Sequence, residues 1–141
     1  MKLFLLVAGL LSYHLAQSCT CIHQGKIDDK QYDEYQLIAK GKIIKVAEHK
    51  FSRVIFLQVS TFYKEGNQEK VVMIISVKEE GLCGISPRFS EEWLLFAYQD
   101  GKSFRTDLCT RTKNMNPKAW DHRKDELEND LKFLEEKRKI K

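Results

Sequence analysis

Four cysteines are the residues of this sequence with the most informative chemistry. They are Cys19, Cys21, Cys83 and Cys109. A cysteine thiolate serves as a nucleophile or a metal ligand, whereas paired cysteines form disulfides in oxidising compartments. Two of the four enclose a single residue in the segment Cys19-Thr20-Cys21. No other paired cysteine or histidine lies at metal-ligand spacing, so the sequence does not predict a bound zinc.

The residues before Cys19 have the pattern of a secretory signal peptide. Lys2 provides a basic start, an apolar run follows, and Ala16 and Ser18 place small residues before a cleavage site. This pattern predicts a signal peptide over residues 1–18, with Cys19 as the first mature residue. Two alternatives stay open. One is a membrane anchor, for which the run falls short of the ~20 residues needed, and the other is a bacterial lipoprotein signal, which also ends at a cysteine.

Export would place the four cysteines in an oxidising compartment, where an even number predicts two disulfides. A bridge between Cys19 and Cys21 would close a very tight ring, so each is expected to pair with a later cysteine. The residues alone leave the two remaining pairings open. The predicted location is extracellular, or periplasmic or lipid-anchored if the source is bacterial.

Cleavage before Cys19 would also expose the α-amine of that residue. This amine and the carbonyl of Cys19 form a five-membered chelate with a metal ion. An unperturbed α-amine has a pKa of about 7.7–8.0, so a neutral fraction that can ligate a metal exists at physiological pH. Bridges on both sides of Thr20 would hold this terminus extended and rigid.

Motifs of the common enzyme classes are missing from the sequence. It contains no Gly-rich phosphate loop, no H-E-x-x-H and no G-x-S-x-G. If all cysteines are bridged, no thiolate nucleophile remains. We therefore expect neither an enzyme nor a cofactor. The formal net charge of +4 is also too modest for a dedicated nucleic-acid binder.

The segments between the cysteines have the patterns of strands. A length of 141 residues predicts one domain, here residues 19–141. The predicted strands are Leu37 to Val46, Arg53 to Tyr63, Lys70 to Val77, Glu92 to Tyr98 and Ser103 to Thr112. Glu65-Gly66-Asn67 and Asp100-Gly101 are turn signals, and Gly41 indicates a bulge or bend. The apolar centre of the third strand indicates burial on both faces. Five strands with such turns predict a mainly β small barrel or sandwich.

Helices are predicted on either side of the strands. A short helix over Lys30 to Tyr35 has Asp28 or Asp29 as its N-cap. A C-terminal helix over about 117–136 is predicted to begin at Asn116-Pro117. Its apolar face consists of Trp120, Leu127, Leu131 and Leu134. The charged residues from Glu135 to Lys141 are expected to fray.

Three segments together resemble the tissue inhibitors of metalloproteinases and the wider netrin-like modules. The first is Cys19-Thr20-Cys21 directly after a signal peptide, and the second is Glu80-Gly81-Leu82-Cys83-Gly84. The third is Trp93-Leu94-Leu95-Phe96 followed by Asp100-Gly101, Phe104, Thr106 and Leu108-Cys109. The resemblance covers the mature chain to about Thr112. It implies a five-stranded OB-fold barrel with flanking helices and the pairs Cys19–Cys83 and Cys21–Cys109.

The resemblance also implies a function. Six residues, which we call the ridge, would contact a zinc metalloendopeptidase: Cys19, Thr20, Cys21, Glu80, Gly81 and Leu82. The amine and carbonyl of Cys19 would bind the catalytic zinc of the protease, and Thr20 would enter its specificity pocket. The zinc belongs to the target, and the inhibitor is expected to be a secreted monomer without a membrane span.

The sequence departs from the family in three ways. His23 stands where the animal inhibitors usually have proline, and both a third bridge and a second cysteine-rich domain are missing. The alternative function is therefore a secreted netrin-like binding module without inhibitory activity. Such a module would recognise a protein or a glycan through its barrel face or its basic tail.

Overall fold

The computed structural model describes residues 19–64, 69–119 and 122–140. The predicted signal peptide, the predicted turn at Glu65-Gly66-Asn67 and Trp120 lie outside these residues. In chain order, the elements are α1 Asp29–Glu34, β1 Leu37–Glu48, β2 Ser52–Lys64, β3 Val71–Val77, a 3-10 helix Glu80–Leu82, β4 Glu92–Asp100, β5 Ser103–Arg105, β6 Lys113–Asn114 and α2 Lys124–Ile140.

Five of these strands close into a barrel. β1 pairs with β2, β2 with β3, β3 with β5, β5 with β4, and β4 returns to β1. The pairing of β3 with β5 is parallel and the other four are antiparallel. The short β6 pairs with the start of β4. The prediction of a mainly β protein with a five-stranded, OB-fold-like barrel and a C-terminal helix is confirmed.

Alternate residues of the strands fill the interior of the barrel, because successive side chains of a strand point to opposite faces. This core includes Leu37, Ala39, Ile43, Ile55, Leu57, Val72, Ile74, Ile85, Trp93, Leu95 and Ala97. In β3, Val72 and Ile74 are buried, whereas Met73 is 43% exposed. The expectation that β3 is buried on both faces is therefore wrong. The outer side of this strand carries apolar residues that nothing in the described chain covers fully.

A second core lies between the outside of the barrel and the two helices. It contains Ile27, Tyr32, Tyr35, Ile38, Tyr63, Leu94, Phe96, Leu127 and Leu134. Asp28 is the N-cap of α1, as one of the two predicted alternatives had it, and its Oδ1 accepts a hydrogen bond from the Gln31 amide at 2.8 Å. The helices thus bury the outer face of β1 and β4.

The fifth strand is shorter than predicted. β5 ends at Arg105, and the alternating residues that follow it leave the sheet. Here Thr106 donates to the Phe96 carbonyl at 2.9 Å, and its hydroxyl lies 2.7 Å from that of Thr112. Buried hydroxyls that pair with one another replace a strand ladder, which explains why an alternating pattern does not continue β5.

The C-terminal helix begins later than predicted. α2 starts at Lys124 rather than at about residue 117. Asn116 instead forms a turn, because its Oδ1 accepts from the Lys118 amide at 2.9 Å and its carbonyl accepts from the Ala119 amide at 3.0 Å. The acidic first turn of α2, with Asp125 and Glu126, suits the N-terminal end of a helix.

In the described residues, the apolar face of α2 packs as predicted, whereas the helix ends later than predicted. Leu127 and Leu134 are buried and Leu131 is half-buried against the second core, which confirms that face. The predicted end at about residue 136 is wrong, because the helix continues to Ile140. Tyr63 donates a hydrogen bond to Glu135 at 2.9 Å and so ties the last turns to β2.

Candidate functional site

The structure joins the first three described residues to the barrel by two disulfides. Cys19 is bonded to Cys83 and Cys21 to Cys109, with Cα–Cα distances of 5.1 and 5.0 Å. The pairing implied by the family resemblance is therefore confirmed. Thr20 lies between the two bridges and is exposed, whereas Cys19 is half-buried.

The two bridges lie against each other. The Sγ atoms of Cys83 and Cys109 are 3.5 Å apart, and those of Cys19 and Cys109 are 3.8 Å apart. The Leu108 amide donates to the Cys83 carbonyl at 2.8 Å, which holds the two segments that carry the later cysteines side by side. The four sulfurs are close enough for a metal site, but in disulfides none of them is a thiolate.

The segment Glu80–Leu82 forms the 3-10 helix immediately before Cys83. Its turn closes through hydrogen bonds from the amides of Leu82 and Gly84 to the carbonyl of Glu79, at 3.1 and 3.0 Å. Leu82 is 59% exposed. Since Cys83 is bonded to Cys19, the structure brings the ridge residues predicted from the sequence onto neighbouring segments.

Cys83 and Gly84 show how tightly this loop is folded. Cys83 has φ +67°, in the left-handed region that non-glycine residues rarely adopt. At Gly84, a Cβ would lie 2.2 Å from the carbonyl oxygen of Val77, so only glycine fits against the end of β3. The backbone beside the Cys19–Cys83 bridge is thus set by close packing.

Two residues that position the other bridge were missed by sequence reasoning. The Asp107 Oδ1 accepts from the amides of Cys109 and Thr110 at 2.8 and 3.0 Å, in a turn stabilised by its side chain. Gln24 donates from Nε2 to the Cys109 carbonyl at 2.6 Å. Asp side chains often accept a hydrogen bond from the backbone two residues later, so Asp107 is a turn signal, but nothing local in the sequence indicates the role of Gln24.

A recess of about 350 Å³ lies beside the bridged segments, and Gly84, Trp93 and Leu108 form part of its wall. The carboxylate of Glu91, which also lines the recess, accepts hydrogen bonds from Trp93 Nε1 at 2.9 Å and from the Arg88 amide at 2.8 Å. These two hydrogen bonds hold the loop that leads into β4.

No helix in residues 19–64, 69–119 and 122–140 is both long and apolar enough to cross a membrane. Comparison of the sequence with protein-family models and with curated proteins finds no match. The case for a function therefore depends on the geometry of the ridge and on the family resemblance of its motifs.

Proposed function

We propose that this protein is a secreted inhibitor of zinc metalloendopeptidases and acts through its mature N-terminus. The observation that carries the proposal is the exposed Thr20, held between two disulfides beside the 3-10 helix. Two disulfides in a small domain also support export, since such bonds persist in oxidising compartments. These features support the inhibitory ridge that the family resemblance implies.

The proposed chemistry needs removal of residues 1–18. The new α-amine and the carbonyl of Cys19 would then occupy the coordination position that catalytic zinc sites keep open for water. Displacing that water removes the nucleophile of the protease. Thr20 would direct its side chain into the adjacent specificity pocket, and the exposed Gly81 and Leu82 would contact the rim of the cleft.

The disulfides would contribute to affinity by limiting motion before binding. A flexible N-terminal peptide loses conformational entropy when it is fixed in a cleft, whereas a segment already held in place loses less. Because both Cys19 and Cys21 are bonded to the barrel, the three residues around the proposed chelate are restrained on both sides.

The proposal is tested by extending the mature protein with one alanine before Cys19. Extension turns the amine into an amide, which is a poor zinc ligand, so inhibition should be lost while the melting temperature stays the same. Thr20→Gly should weaken inhibition more mildly, because it removes contacts in a pocket but no metal ligand. The measurement is the inhibition constant of each form against a panel of zinc endopeptidases.

Two results would contradict the proposal. Equal inhibition by the extended and the correctly processed protein would reject chelation by the Cys19 amine. A processed protein with two intact disulfides that inhibits no member of a broad panel would reject the inhibitory function itself. N-terminal mass analysis of each sample is the control, since it shows whether Cys19 carries a free amine.

A second candidate function is a binding module without inhibitory activity. It is favoured by the outer surface of β2 and β3, where Met73 and Val71 are exposed at 43% and 37%. Lys45 lies over the Phe56 ring on this surface, 5.4 Å from its centroid. Such a mixture of apolar and basic groups is typical of a protein or glycan contact.

A further inference from the structure

A cluster of buried charges lies between the barrel and α2. Asp130 of α2 is fully buried, and Arg111 and Lys113 are 4% and 5% exposed. Charged side chains are almost never buried this deeply unless they are paired. The cluster lies on the same side of the barrel as the segment that follows Cys21, since Gly25, Arg111 and Lys113 border one small recess.

The three charged groups pair with one another. The guanidinium of Arg111 contacts both carboxylate oxygens of Asp130, at distances from 2.5 to 3.2 Å. Lys113 Nζ donates to Asp130 Oδ2 at 2.8 Å and to the Arg111 carbonyl at 2.9 Å. Burial lowers the pKa of Lys113, and the nearby Asp130 carboxylate opposes that shift.

Arg111 has two further partners outside the ion pair. Its Nη1 donates to Gln31 Oε1 and its Nη2 to the carbonyl of Gly25, both at 3.0 Å. Gln31 in turn donates from Nε2 to the carbonyl of Gln24 at 2.8 Å. One guanidinium therefore links α2 to α1 and to the backbone that leads away from the ridge.

The backbone that Arg111 contacts changes direction at Gly25. Gly25 has φ +62°, a left-handed conformation that redirects the chain four residues after Cys21. The first turn of α2 also reaches this segment, because Glu126 lies 3.7 Å from His23 Nδ1. The carbonyls of two consecutive residues, Gln24 and Gly25, thus accept hydrogen bonds from Gln31 and from Arg111. Arg111 belongs to the buried cluster, and Gln31 is bonded to it.

We propose that Arg111 and Asp130 are positioning residues that hold the segment from Ile22 to Gly25, which leads directly away from the ridge, as a third tether beside the two disulfides. The inference rests on the proposed function for its effect on inhibition, but the restraint itself is a property of the free protein. Planar, bidentate pairing fixes the direction of the guanidinium. Its Nη2 therefore meets the carbonyl of Gly25, and its Nη1 meets Gln31, only while α2 and this segment keep their relative positions.

The test separates positioning from stability with three variants. Asp130→Asn breaks the pair, but it leaves two buried cations with reduced compensation and is expected to be unstable. The second variant combines Arg111→Met, Lys113→Met and Asp130→Leu. Apolar replacement of a buried ionic group is often tolerated, so α2 should stay packed while the tether is lost. Leu131→Ala is the matched control, because it weakens the packing of α2 without touching the cluster.

The first readout is the backbone order parameter of Ile22 to Gly25, the residues after the second bridged cysteine, measured by NMR relaxation on the free, processed protein. We expect rigid values of about 0.85 in the wild type and in Leu131→Ala, and values below about 0.6 in the triple variant. The second readout is the inhibition constant, which should rise about tenfold in the triple variant and stay unchanged in the control.

Each outcome decides a different point. Unchanged order parameters in a folded triple variant would overturn the tether, whatever the protein inhibits. Lower order parameters with an unchanged inhibition constant would overturn the positioning of the ridge. If the wild type inhibits no protease, the proposed function fails, and the order parameters still decide whether Arg111 and Asp130 restrain this segment.

Discussion

Gly41 shows how one residue can decide the closure of the barrel. It lies in β1 where that strand pairs on both sides, with Val59 of β2 and with Trp93 of β4. The register shifts between Lys40 and Gly41, so the predicted bulge or bend is confirmed. A glycine within a strand pattern indicates such an irregularity. Which strands approach Gly41 depends on residues distant in the chain, so the local sequence does not predict it.

The first prediction concerns Gly41→Ala. A Cβ at this position would lie 2.2 Å from the backbone oxygen of Gln58, and a paired backbone cannot move away as a flexible side chain can. We expect the free energy of unfolding to fall by about 3 kcal/mol, measured by urea denaturation. Gly101→Asn is the control, because Gly101 has φ +61° but open space around its Cα, and asparagine tolerates that conformation. A loss below about 1 kcal/mol at Gly41 would contradict the steric argument.

At the scale of elements, prediction succeeds where the pattern is local. α1 with its N-cap, the first four strands and the hairpin at Gly101 follow from periodicity and turn residues. The end of β5 could not be predicted, because the hydroxyls of Thr106 and Thr112 find partners contributed by β4. Asp130 did leave a signal, since it lies three residues after Leu127 and four before Leu134 on the apolar face of α2.

The second prediction concerns the docking of α2 on β2 and its dependence on pH. Burial, together with the hydrogen bond to Glu135, raises the pKa of Tyr63 from 10.0 to about 12. A raised pKa in the folded state gives a stabilisation that is complete below pH 10 and lost as the pH rises toward 12. Between pH 9 and 11, the wild type should therefore lose up to about 1 kcal/mol more stability than Tyr63→Phe.

Urea denaturation of both proteins at pH 9 and pH 11 measures this difference. Burial also raises the pKa of Tyr35, so both proteins should lose some stability over this interval and only the difference reports on Tyr63. Equal losses in the two proteins would mean that Tyr63 ionises as it does in the unfolded chain, and that its contact with Glu135 contributes little.

At the scale of the whole molecule, the sequence indicates the parts of the candidate site better than their assembly. Cysteine number and the predicted signal peptide indicate two disulfides, but spacing leaves two pairings open. The strand count indicates a barrel or a sandwich, and only the pairing of β1 with β4 and the parallel pairing of β3 with β5 distinguish them. These contacts join residues far apart in the chain. The same is true of the hydrogen bond from Arg111 to the Gly25 carbonyl and of the one from Gln24 to the Cys109 carbonyl.

The last prediction concerns the stability that the two disulfides share. Cys19–Cys83 and Cys21–Cys109 close stretches of 64 and 88 residues, each of which alone would stabilise the fold by about 4 kcal/mol through the entropy of the unfolded chain. When one bridge is already intact, however, forming the other closes only a smaller ring. This ring is the same whichever bridge forms second. That ring runs through the 2-residue step from Cys19 to Cys21 and the 26-residue step from Cys83 to Cys109.

Removing either bridge by paired substitution to alanine should therefore reduce the free energy of unfolding by nearly the same amount, about 3.5 kcal/mol. Removing both should cost about 8 kcal/mol, more than twice the single loss, because the last bridge closes a long stretch of chain rather than the small ring. Urea denaturation of the two single-bridge proteins makes the decisive comparison, since both are expected to fold. Single losses that differ by more than about 1 kcal/mol would show that native packing around one bridge, rather than the entropy of the unfolded chain, determines its contribution.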